Sequence, residues 1–293
     1  EKKEKLFQMN EAAAEYYHHL LSSAKVAEAA RSYLARRKIV PETIKEFRLG
    51  FSPDAWETIK NYLLGKGYTE KDLVEAGLAI EKEEGGSYDR FRNRLMFPIF
   101  DVKGRVTGFG ARVLDDSLPK YINSPQTPVF DKSSSLYGID KAKSAIRKKN
   151  LVIIMEGYMD VLTAHQHGWQ NVVGSMGTSL TERQVEAIKK LTNNITLALD
   201  ADLAGEEATL RGRAILASSN AEANVILLPT GKDPDEVIRE EPAVWQKLVE
   251  EALPIMDFAF KSVITKVDIT KARDKSAAMQ KHLPPIHEIR DPT

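Results

Sequence analysis

Between residues 10 and 82 apolar positions recur every three or four residues, and the chain reads as a series of short helices. Asn10 is placed to cap NEAAAEYYHHLLSSAKVAEAARSYLARR. Ser52 followed by Pro53 has the form of an N-cap and first-turn proline for DAWETIKNYLL, with Gly65 and Gly67 ending that helix. Thr69 opens a further helix, with Asp72 three residues on. From 88 to 114 the period changes. LMFPIF, the turn DVKG and RVTGFGARVL predict a hairpin. Residues 115–135, poor in aliphatics and rich in Pro and Ser, predict a long loop of the kind that often carries function.

From 151 onward strand and helix patterns alternate. LVIIM (151–155), NVV, ITLAL (195–199) and NVILL (224–228) read as buried strands, separated by YMDVLTAHQH, the Thr181-capped TERQVEAIKKL and AGEEATLRGRAILAS as helices. This order predicts an α/β fold: a mainly parallel sheet flanked by helices, with an α+β region before it and a helical region after about 236. We divide the chain into an N-terminal α+β subdomain (1–130), a central sheet subdomain (131–240) and a C-terminal helical subdomain (241–293). The tail, HEIRDPT, shows no helix stop, which suggests a boundary within a longer protein.

The acids are distributed unevenly over these elements. Glu156 directly follows LVIIM, and Asp160 lies one turn into the next helix. Asp200 and Asp202 follow ITLAL, and Asp233 and Asp235 follow NVILLP. In an open parallel sheet the carboxyl ends of the strands share one edge, where ligands bind. Six carboxylates gathered there repel one another unless a cation neutralises them. Mg²⁺, a hard ion taking oxygen ligands, suits them, and a pair of such ions forms a clamp for phosphoryl or nucleotidyl transfer. Each acid taken singly has a plainer reading as a helix cap, Asp202 and Asp233 in particular.

Composition narrows the chemistry further. Cys is absent, which removes disulfides, thiol nucleophiles, iron–sulfur clusters and Cys-based zinc sites, and fits a reducing compartment. No apolar run approaches the ~20 residues a membrane span needs, and EKKEKLFQMN has no signal-peptide core. The net charge is zero, but it is +6 over residues 1–150 and −6 over 151–293, with +8 in 90–149 alone. Such separation suggests a polyanion held near carboxylates; solvated faces are the alternative. Arg90, Arg92 and Arg94 alternate in DRFRNR and would share one face of a strand. Lys120, Tyr121, Asn123 and Lys132 punctuate the following loop, a mixture suited to phosphates and unstacked bases. Gly104, Gly108 and Gly110 lie in a hairpin and form no dinucleotide fingerprint, and no P-loop is present. His165 and His167 are spaced to face apart on a helix, and Trp56, Trp169 and Trp245 read as packing residues.

MEGYMD (155–160), LDADLAG (199–205) and GKDPDEVI (231–238) resemble the three acidic motifs of TOPRIM domains. DRFRNRLMFPIFDVKGRVTGFGARVL, PKYINSPQTPVFDKSSSLYG and GSMGTSLT resemble one branch, the DnaG-type bacterial primases, over nearly the whole chain. The resemblance implies a TOPRIM-type sheet and a DNA-directed RNA polymerase (DNA primase) that synthesises short RNA primers de novo from ribonucleoside triphosphates on single-stranded template, with Mg²⁺ or Mn²⁺. It implies that Glu156, Asp200 and Asp202 are catalytic and, with Asp233, Asp235 and nearby Asp160, surround the metals and triphosphate. It assigns Arg90, Arg92, Arg94, Lys120, Tyr121, Asn123 and Lys132 to template and nascent RNA, and Gly177 and Thr178 to the lip of the nucleotide site. Ala201 and Ala111 stand where many relatives carry Gly, which removes no ligand.

Full-length family members add a zinc-binding domain and a helicase-docking domain, so the chain is expected to be a monomeric polymerase core without zinc. The replicative helicase and single-strand-binding protein would be partners of the full-length protein. The expected location is cytoplasmic, at the nucleoid. Another TOPRIM activity (a nuclease or strand-passage subunit), a phosphatase reading of DADLAG, and a non-catalytic nucleic-acid-binding module remain alternatives.

Overall fold

The computed structural model describes residues 2–177, 179–199 and 203–259, and the chain divides into two compact units after Lys141. In the first unit, α1 (Lys2–Ser23) buries Leu6, Met9, Ala13, Tyr17 and Leu21, one stripe at helical spacing. The helix starts well before Asn10, which is therefore no cap. Asn10 is fully buried and its Nδ2 donates to the Thr107 carbonyl at 2.9 Å. A register shift at Ile99/Phe100 leaves Thr107 without a strand partner, and the buried amide satisfies the carbonyl this frees.

After α2 (Glu28–Arg36) and α3 (Pro41–Glu46), four antiparallel strands form a sheet in the order β1–β4–β5–β6. These are β1 (Gly50–Ser52), β4 (Arg94–Phe100), β5 (Val106–Val113) and β6 (Tyr121–Asn123). The predicted hairpin is β4–β5, and β6 lies inside the stretch expected to be loop. Helix α1 crosses β1 so closely that a Cβ on Gly50 would lie 2.5 Å from the Tyr17 Cβ. Ser52 is not the expected helix cap. It ends β1, its hydroxyl bonding the backbone of Arg94, and the next helix, α4, spans only Thr58–Gly65. That helix is capped from a distance by Asp89 at the end of β3 (Ser87–Asp89), which accepts from the N–H groups of Ile59 at 2.9 Å and Lys60 at 3.0 Å. The Thr69–Asp72 capping box on α5 (Glu70–Glu75) forms as expected, and β2 (Ala79–Glu81) pairs with β3.

The long loop after β6 packs onto this unit: Ser124 and Phe130 press against Gly108, and the Tyr137 ring meets Phe47 and Phe97. These anchors carry the first unit past residue 130, where the sequence reading had ended it.

Helix α6 (Ile139–Lys149) carries the chain across the division. The second unit is a sheet in the order β11–β10–β9–β7–β8. Its strands β7 (Val152–Met155), β8 (Val172–Gly174), β9 (Asn194–Leu197) and β10 (Glu222–Val225) are all parallel, with helices α7 (Tyr158–Gln166), α8 (Glu182–Lys189) and α9 (Leu203–Ser218) between them. Thr181 caps α8 through a box with Gln184. Helices α10 (Pro234–Glu240) and α11 (Pro242–Glu250) follow. Leu253–Pro254, expected to be helical or to border a helix, pairs antiparallel with β10 as β11. The remainder of the expected C-terminal helical subdomain from 260 lies outside the described residues.

Candidate active site and nucleic-acid interface

Because β7, β9 and β10 are parallel neighbours, the chain leaves all three at one edge of the second unit's sheet. Glu156, half-buried, is the first residue beyond β7. Gly157 follows as the N-cap residue of α7, and the Asp160 carboxylate folds back to accept its N–H at 3.0 Å. Gly177, with φ of 72°, donates its N–H to the Glu156 carbonyl at 3.2 Å and so adjoins Glu156. Beyond β10, Asp233 caps α10, accepting from Glu236 N–H at 2.7 Å. Asp235 is buried, holding Thr163 and Arg239 by its side chain and Asp160 by its N–H. Asp200, Asp202 and Thr178 lie outside the described residues. Among the described residues no three acidic or imidazole groups converge as a metal site. The two histidines singled out by sequence have structural roles: His165 bonds Val172 O, and His167 bonds Thr163 O.

The basic residues form a separate feature on the first unit. Arg90, Arg92 and Arg94 do share a face, although only Arg94 is in a strand. Asn93, with φ of 50°, interrupts the extended run, and the three arginines line one cavity of about 350 Å³ with Asp54, Asp115 and Ile122. Arg90 Nη2 donates to Asn123 O at 3.3 Å, and Arg94 Nη1 to Pro119 O at 3.2 Å. Burial lowers the pKa of Arg90, and it lowers that of Arg94 against the opposing pull of Asp115. Partly dehydrated cations crowded together are costly until an anion joins them, and phosphate fits that need. Tyr121 and Asn123 lie on β6 at the edge of the same sheet, and Lys120 precedes them, exposed. Lys132 sits on the loop beyond, half-buried, with its pKa lowered by burial.

The sequence reading missed two members of this surface, one aromatic and one cationic. Trp56, expected to pack, is 63 % exposed, and the Arg92 guanidinium lies 4.2 Å from its ring centre and 5.1 Å from that of Tyr88. The available signal was its setting, a tryptophan among Pro, Asp and Glu in SPDAWE. Arg112 is the other: it sits over Tyr33 and donates to the Tyr121 hydroxyl at 2.7 Å.

Family models match both units: "DNA primase catalytic core, N-terminal domain" over residues 16–143 and "Toprim-like" over 153–238. The solved structure of the DnaG primase catalytic domain bound to ssDNA is 34 % identical, with a TM-score of 0.87, and the match covers 98 % of this chain and 94 % of that one. This chain belongs to the DnaG primase family. The RNA polymerase domain of the Mycobacterium tuberculosis DnaG primase matches with a TM-score of 0.88 at 32 % identity, over 99 % of this chain and 94 % of that one. The DNA primase of Clostridium acetobutylicum is 42 % identical over 99 % of this chain, and that of Halalkalibacterium halodurans 40 % over 88 %. The DnaG-type chain described here spans 47 % and 44 % of those two relatives' lengths.

Proposed function

We propose that this chain is the RNA-polymerase core of a bacterial primase, joining ribonucleotides into short primers on single-stranded DNA. The observation that carries this is the near-complete match to a DnaG catalytic domain bound to ssDNA, in a chain that also carries a cavity lined by three arginines. In this reading Arg90, Arg92 and Arg94 grip the template backbone, with Lys120 and Lys132 extending the charged track. Trp56, Tyr88 and Tyr121 offer faces on which bases stack.

The donors on the sheet edge are carboxylate oxygens, the ligand type that Mg²⁺ and Mn²⁺ prefer, so the residues present fit a divalent ion. Glu156, Asp200, Asp202 and Asp233 would hold it, with Asp160 and Asp235 beside them. When bound, such an ion stabilises charge on the attacking and leaving phosphate oxygens. Gly177 and Thr178 would border the incoming triphosphate, and Glu156 would orient the ion or move a proton. Nascent RNA would leave along the basic face. The replicative helicase and single-strand-binding protein would be partners of the longer protein, at the replication fork in the cytoplasm. No helix among the described residues is long and apolar enough to cross a membrane.

The test supplies single-stranded DNA, four ribonucleotides and Mg²⁺ or Mn²⁺ to the wild type and to Glu156→Gln and Asp200→Ala. Template-dependent short RNA should form, and each substitution should reduce its rate at least ~100-fold while leaving template binding within about twofold. DNA cleavage without ribonucleotides would replace this reading with a nuclease one.

A further inference from the structure

Two of the acids expected around a metal are already committed within the fold. Asp235 is 1 % exposed. Its Oδ1 accepts from the Thr163 hydroxyl on α7, and its Oδ2 pairs with Arg239 Nη1 at 3.4 Å. Its N–H donates to Asp160 Oδ1 at 3.1 Å, and the other oxygen of Asp160 accepts from Gly157 N–H at 3.0 Å. The contacts therefore run without a break from Arg239 on α10 to the residue next to Glu156. The α10 end of this chain begins two residues after Asp233, so it links the turn bearing Glu156 to the loop bearing Asp233.

Gly157 supports the same picture from the backbone side. A Cβ there would lie 2.6 Å from Asp160 Oδ2, so only glycine lets this carboxylate close onto the turn. A buried carboxylate that accepts a hydroxyl and an arginine would have to give up those bonds to enter a metal's coordination sphere, leaving buried donors unpaired. Such groups more often orient the residues that touch the metal.

We propose that Asp235, held by Thr163 and Arg239, is a positioning residue that fixes Glu156 and Asp233 relative to each other through Asp160, and is not itself a metal ligand. The inference rests on the reading of Glu156 and Asp233 as metal-holding residues. It distinguishes Asp235 from Asp233: both oxygens of Asp235 serve the protein, whereas Asp233 caps α10 through Oδ1, and the effect of Asp235 on the ion is transmitted.

Mn²⁺ titration calorimetry on the metal-free protein, paired with its melting temperature, tests this. The set comprises the wild type, Thr163→Val, Thr163→Ser, Arg239→Gln, Asp235→Asn and Glu156→Gln. Thr163→Val and Arg239→Gln should each weaken Mn²⁺ binding about 10-fold or more with unchanged stoichiometry, although neither side chain is a plausible ligand. Thr163→Ser, which keeps the hydroxyl, should restore wild-type affinity, and Asp235→Asn should bind as many ions as the wild type. Wild-type affinity in both Thr163→Val and Arg239→Gln, or loss of a bound ion in Asp235→Asn, overturns the proposal while leaving the metal site standing. If Thr163→Val fails to fold, the affinity of Arg239→Gln and the stoichiometry of Asp235→Asn decide. If the wild type binds no Mn²⁺, the metal reading fails and this proposal fails with it.

Discussion

Two single residues show how local geometry carries chemistry in this chain. Gly157 has an ordinary negative φ, so conformational freedom is not why glycine is needed there; the close approach of Asp160 is. Gly157→Ala should therefore displace a carboxylate that already serves two N–H groups, lowering stability by about 1–3 kcal/mol in a denaturant melt. Arg92 makes the opposite kind of contact. It is stacked on an exposed tryptophan and bonded to Asp89 O at 2.5 Å, contacts that fix the plane of a cation whose residue lines the cavity. Arg92→Ala should weaken single-stranded DNA binding and reduce the slope of log affinity against log salt by about 0.7, read by anisotropy titrations at several salt concentrations. Arg92→Lys should recover the slope but not the full affinity, because an ammonium cannot stack as a plane.

At the scale of elements, Asp89 couples two of them by capping α4 from the end of β3, beside Arg92. Burial raises its pKa from 3.8 to about 6, against the pull of the N–H groups it caps. Between those values the folded chain keeps a proton that the unfolded chain has lost. The stability from this group is thus present at acid pH and lost as pH rises through about 6. Asp89→Asn should flatten that part of the stability profile, measured by urea melts between about pH 4 and pH 7. The same element explains why the sequence reading placed α4 wrongly. Ser52-Pro53 carried a cap signature, but the acceptor that starts the helix lies about thirty residues away, and no local pattern reveals it. Asn10 failed for the same reason, since its partner is Thr107. Caps closed within three residues, at Thr69 and Thr181, were legible. So were β7, β8, β9 and β4–β5, where buried strands leave continuous apolar runs. The short strands β1, β2 and β6 were not: three residues make no period, and β8, equally short, was legible from its place in the alternation of strands and helices.

At the scale of the whole chain, the legible part of the candidate sites was their order along the sequence. Parallel pairing brings the ends of β7, β9 and β10 to one edge, as the alternation of strands and helices implied, so the placement of Glu156 beyond β7 and of Asp233 beyond β10 was readable, while Asp200 and Asp202 lie outside the described residues. Their individual duties were not. Whether an aspartate faces a ligand or a neighbouring helix depends on side-chain partners such as Thr163 and Arg239, which are ordinary residues in any sequence pattern. The charge separation also has a measurable consequence. If three arginines each meet one phosphate, log affinity for single-stranded DNA should fall against log salt with a slope of about −2. A fourfold rise in salt then weakens binding roughly 15-fold, and a flat response would remove the arginine cavity from the binding surface.

The bond between Asn10 and Thr107 spans 97 positions of the chain. At synthesis rates of ~5–20 residues per second, α1 leaves the ribosome roughly 5–20 seconds before the strand that completes its burial. Throughout that interval the face carrying Leu6, Met9, Tyr17 and Leu21 has no sheet to cover it. The core around α1 therefore closes only once its fifth strand has emerged, and until then a holding chaperone would find its purchase on that face.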